Sequence, residues 1–145
     1  MKLARHSVRL LRNFRALPSS RRKLLLEALY FILMARLALA LLPFRIIAAS
    51  HAKPKIQVRP LDGLIAEVGW AVTRIGGFFS FRNLCLVQAL AARRMLRRRS
   101  IDSVLHLGVA KGAGDAFSAH AWLDAMGVEV TGYPIDPGFK EIASY

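Results

Sequence analysis

The sequence predicts an α+β fold, helices first and an antiparallel sheet after them. Two long stretches, residues 21–42 and 64–98, repeat apolar side chains at helical spacing. After Ser100 the texture changes to strand formers and period-two alternation, punctuated by glycine. The 145 residues suit one modest domain, and a hydrophobic content of 54% excludes a disordered chain.

The first eighteen residues, MKLARHSVRLLRNFRALP, scatter charge through every turn and hold no uninterrupted apolar run before a small-residue cleavage site. They do not read as a secretory signal. A cytoplasmic location is expected, where the single cysteine stays reduced. Ser20 is placed to N-cap a helix starting near Arg21. Residues 24–49 are the most apolar in the chain, but Glu27 and Arg36 interrupt them. Each charge at the centre of a membrane-spanning helix costs about 3 kcal/mol. Leu24, Leu25, Ala28, Phe31, Ile32, Ala35 and Leu39 fall on one helical face, so a helix packed on a core or a partner is expected, with membrane-surface contact as the alternative. Pro43 should end or kink it.

Residues 51–60, HAKPKIQVRP, read as a connector between an N-terminal helical arm, 1–50, and a catalytic core, 51–145. A second helix is expected over 64–75, closed by Gly76-Gly77. A third should run over 84–98, with residues 80–83 supplying its cap and arginines at its C-terminal end, where cations suit the helix dipole. Residues 103–110 then read as a strand, 111–116 as a glycine loop, 118–125 as a second strand, Gly127 as a turn and 128–133 as the returning strand. The alternation of 118–125 puts His120, Trp122 and Asp124 on one face and Ala119, Ala121 and Leu123 on the other. Asp136-Pro137-Gly138 reads as a closing turn.

The formal charge of +13 favours an acidic partner. The arginine clusters at 9–15, 21–23 and 93–99 read as solvated helix faces. Aromatic residues do not interleave with them as a base-stacking platform requires, so nucleic acid is not an expected partner.

One cysteine excludes an intramolecular disulfide and a cysteine-rich zinc site, and no cofactor or metal is expected. Cys85 falls in the first turn of the third helix. Amides there favour a thiolate and can hold the oxyanion of a tetrahedral intermediate. A base must come from elsewhere in the chain. His6 and His51 lie in the arm and connector, where a solvated role is expected. His106 reads as structural. His120, between alanines and two residues before Trp122, has room for a substrate backbone beside it. Asp124, Glu129 and Asp136 are candidates to orient its ring. An extended strand separates Asp124 from His120 by about 13 Å, whereas a returning strand can bring Asp136 beside it.

Cys85, His120-Ala121-Trp122 and Asp136-Pro137 together resemble the Cys…His-Ala-Trp…Asp-Pro pattern of transglutaminase-like cysteine enzymes. CLVQALAARRMLRRRSIDSVLHLGVAKG and AHAWLDAMGVEVTG are similar to the peptidase core of the lasso-peptide biosynthesis B proteins, and SSRRKLLLEALYFILMARLALALLPFR to the arm before it. The resemblance covers about residues 20–137. It implies a transglutaminase-like or papain-like core, its nucleophile at a helix N-terminus on an antiparallel sheet, and a triad of Cys85, His120 and Asp136. It implies a leader peptidase acting on a lasso precursor peptide. The partners would be a lasso cyclase and a separate leader-recognition protein, because the chain resembles the split form that lacks a winged-helix leader-binding domain. Asn83 and Gln88 are candidates for an oxyanion side chain. Two rivals stand beside this reading: a basic, non-enzymatic adaptor for a membrane surface or acidic partner, and a transglutaminase-like amidase or acyl transferase.

Overall fold

The computed structural model describes residues 14–49, 63–80, 83–111 and 116–145. The connector at 51–60, His6, His51, most of the 9–15 arginine cluster and most of the glycine loop lie outside them. Helix α1 runs Ser19–Leu41, α2 Phe44–Ala49, α3 Leu64–Gly76 and α4 Leu84–Arg97. Strands β1 Val104–Lys111, β2 Phe117–Ala125, β3 Val128–Thr131 and β4 Lys140–Ser144 form an antiparallel sheet in the order β3-β2-β1-β4. The α+β architecture is as the sequence predicts: N-terminal helices packed on a four-stranded antiparallel sheet.

Local chemistry explains the boundaries. Pro18, not Ser20, occupies the N-cap position of α1, and no side chain caps that end. Ser20 therefore sits inside the first turn. The helix stops at Leu41, two residues before Pro43, which restarts the chain as α2. Leu24, Leu25, Ala28 and Ile32 are buried, and Phe31, Ala35 and Leu39 pack against the same core. Gly77 follows α3 as expected. Met126 and Gly127 both have positive φ, +52° and +80°, which suits a two-residue turn between β2 and β3. Strand β4 departs from expectation. The chain does not close at the Asp136 turn but returns to pair antiparallel with β1. Its side chains are exposed on both faces apart from Ala143, so no alternation announces it.

One hydrophobic cluster joins α1, α3, α4 and the inward side of the sheet, including Val68, Leu90, Met95, Leu105 and Leu123. Ion pairs fasten α1 to its neighbours. Arg21 forks onto Glu67 of α3 and lies over the Trp70 ring. Arg99 forks onto both oxygens of Glu27, at 3.0 and 2.7 Å, and donates to the Met95 carbonyl. The second pair is partly buried, where such a fork contributes more than a surface pair.

The arginine cluster on α4 is not wholly solvated. Arg93 is 7% exposed, with Nη1 unpartnered among the described residues. Burial lowers its affinity for the proton, and nearby Asp102 opposes that. The reason is helical spacing: Arg93 falls on the stripe of Ala89, Leu90 and Leu96, the face α4 buries.

Candidate active-site cleft

Cys85 is the second residue of α4 and half-buried. Asn83 occupies the cap position without a side-chain bond to the helix, so the first-turn amides are not occupied by it. Gln88 lies one turn further along the same face. It fits because α3 ends in glycine beside it: a β-carbon at Gly76 would overlap the Gln88 amide. His120 lies near the middle of β2, opposite Gly108 of β1.

Cys85, Gln88 and His120 all line one cleft of about 460 Å³, together with Thr73, Leu84, Glu129 and the run from Val130 to Pro134. The cleft lies where the N-terminal end of α4 meets the β2–β3 side of the sheet. Asn83 and Asp136 are not part of its lining.

The imidazole is held on three sides. Its ring stacks against Trp122, with centroids 6.1 Å apart, and meets Phe139 in a tilted contact at 5.3 Å and 45°. Nε2 lies 2.7 Å from the Gly132 carbonyl oxygen. A carbonyl only accepts, so Nε2 carries a hydrogen, and in the neutral ring the lone pair is on Nδ1. This is the tautomer a general base needs if Nδ1 faces the thiol. Gly132 reaches that position with φ +84°, and a β-carbon there would crowd the Ala121 carbonyl and the Trp122 backbone. Trp122 is itself fixed, its indole lying over Gly108 and its other side stacked with His106 at 5.5 Å and 6°.

Asp136 is exposed and serves its own turn. Its Oδ1 accepts from the Gly138 N–H at 2.7 Å, and its carbonyl accepts from the Phe139 N–H at 3.0 Å. Asp124 meets His106, with Nε2 2.7 Å from its Oδ1, while Glu141 approaches the other ring nitrogen at 3.1 Å. Neither approach is aligned well enough to be a linear hydrogen bond. His106 is thus a part-buried residue wedged between two carboxylates and Trp122, the structural role expected of it. Glu129 borders the cleft without a described contact to His120.

Tyr133 is a cleft residue that sequence reasoning passed over. Burial, followed by the nearby charges of Asp124 and Glu129, pushes its hydroxyl up to about 12. It donates to Asp124 Oδ1 over a long 3.5 Å and remains an O–H donor at neutral pH. The phenol loses its proton less readily folded than unfolded. Its contribution to stability is therefore present below the ordinary value of 10 and is lost as pH rises through about 12. A tyrosinate absorbance titration should show one late component that Tyr133→Phe removes. A titration finished near 10 for every tyrosine would contradict this environment.

A thiol at a helix N-terminus and a ring-stacked imidazole on the neighbouring strand share one cleft, an arrangement compatible with thiol chemistry. The family comparison agrees with that arrangement: the model of the transglutaminase-like superfamily core matches residues 29–144, and the chain belongs to that superfamily. No curated protein and no solved structure gave a match.

Proposed function

We propose that this protein is a cysteine peptidase that removes the leader from a lasso-peptide precursor in the cytoplasm. It would work with a separate leader-recognition protein and a cyclase. The observation that carries the reading is the shared cleft of Cys85 and His120. Membership of the superfamily supports thiol chemistry. The resemblance of the Cys85 and His-Ala-Trp segments to lasso B proteins supports the substrate class.

The chemistry follows from the residues. The Cys85 sulfur attacks the carbonyl carbon of the scissile bond while its proton passes to His120 Nδ1. The oxyanion forms beside the first-turn amides of α4, within reach of the Gln88 amide. Collapse of the intermediate breaks the C–N bond, and the imidazolium gives its proton to the departing amine, which becomes the new N-terminus of the core peptide. Water, deprotonated by His120, then releases the leader from the thioester. An amine in place of water would give acyl transfer from the same intermediate.

In this proposal Asp136 orients the imidazole through its turn, which presents Phe139 to the ring. Asp136→Ala should then lower turnover about tenfold to a hundredfold by misplacing the ring. Asp136→Asn, which keeps the acceptor oxygen, should stay near wild type. Equal losses in both variants would show instead that the negative charge itself acts on His120. The reading as a whole is tested by mass spectrometry of lasso precursor peptides incubated with this protein and its recognition partner. A free leader and a free core peptide are expected. Leader recovered as its amide with an added amine, rather than as the free acid, would replace the peptidase by the acyl transferase.

A further inference from the structure

The outward side of α1 is as apolar as the side it buries. Leu26, Tyr30, Leu33, Met34, Leu37 and Leu41 are between 44% and 71% exposed. Their spacing of three and four residues aligns them as one stripe along a 23-residue helix. Exposed Ile46 extends the apolar surface onto α2. Contiguous exposed apolar surface of this kind marks an interaction site.

Charge around the stripe has one sign. From Ser19 to Ala49 the only carboxylate is Glu27, and it is turned inward onto Arg99. Arg22 and Lys23 stand at the N-terminal end of α1, and Arg36 and Arg45, both exposed, stand further along. The middle of the stripe offers no side-chain hydrogen-bonding group except the Tyr30 hydroxyl, and tyrosine is suited to a membrane–water boundary. By length and composition α1 is apolar enough to cross a bilayer. Its other side, however, is part of the protein core through Leu25, Ala28 and Ile32, and Glu27 and Arg21 anchor it to the turn after α4 and to α3. Crossing would strip those contacts away, whereas lying flat keeps them.

We propose that α1 docks the protein on an anionic membrane surface, its stripe at the headgroup–acyl boundary and its flanking cations among lipid phosphates. A bilayer satisfies a uniformly apolar stripe without shape matching, and its negative surface complements the cations. The proposal does not depend on the cleft chemistry.

Flotation of the full-length protein with vesicles tests it without an activity readout. With phosphatidylcholine–phosphatidylglycerol vesicles the protein should float, and with phosphatidylcholine alone it should largely remain below. Leu33→Glu with Leu37→Glu should reduce the floating fraction about tenfold or more. Phe117→Glu, at a 75% exposed position on β2, should leave it unchanged. Both stripe positions are 50% exposed, and circular dichroism checks folding; the single change Leu37→Ser serves if the double variant does not fold. Absence of flotation with the anionic vesicles, or flotation indifferent to the stripe variants, overturns the proposal. So does a solution dimer that the same variants dissolve, which would assign the stripe to a second copy of this chain.

Discussion

In the proposed peptidase, replacing Cys85 by alanine should abolish leader cleavage, a loss of at least about 10³-fold, because the proposed nucleophile is gone and only binding and oxyanion stabilisation remain. The fold should survive. Cys85 is half-buried at the edge of the core, so losing one sulfur should cost no more than about 1 kcal/mol. Mass spectrometry of the precursor, alongside circular dichroism and partner binding, separates the two effects. Cleavage retained in a folded Cys85→Ala protein would remove the thiol from the mechanism.

Gly132→Ala should be the most damaging small change in the cleft. Alanine at φ +84° is strained by about 1–2 kcal/mol, and its β-carbon would press on the Ala121 carbonyl and on Trp122. Together these predict destabilisation of about 2–4 kcal/mol in a denaturant titration. The damage is also functional, because the peptide that must move carries the carbonyl that accepts from His120 Nε2. Nitrogen NMR of the imidazole should show the Nε2–H tautomer in the native protein and a mixture in whatever Gly132→Ala protein remains folded. An unchanged midpoint and an unchanged tautomer would mean that the 132 peptide does not hold the ring.

The features that bury apolar surface were legible in the chain. The stripe through Leu24, Ala28 and Ile32 and the alternation around Ala121 and Leu123 are direct consequences of period and burial, so helices, meander and their order followed. Cys85 and His120 were legible too, as a lone thiol in a first helical turn and an imidazole on a strand between alanines. What escaped reading lacks such a period. Strand β4 exposes most of its side chains at a sheet edge and is held by backbone bonds to β1, which any sequence can make. The Gly132 carbonyl is a main-chain group, and only the glycine that allows its position marks it. Asp136 was chosen for its place beyond the returning strand. Its side chain accepts from the Gly138 N–H two residues on, a local bond that no periodicity announces, in the turn that leads to Phe139 beside the His120 ring. Arg93 was read with its charged neighbours, although its spacing from Ala89 and Leu90 put it on the buried face.

The single cysteine allows a direct measurement of whether thiol and imidazole act together. Alkylation of Cys85 by iodoacetamide near neutral pH, followed by intact-mass spectrometry, needs no knowledge of the substrate. A thiolate supported by His120 should react about tenfold or more faster than the thiol of a folded His120→Ala variant. Equal rates in the two proteins would mean that the cleft holds a cysteine and a histidine that merely share a wall.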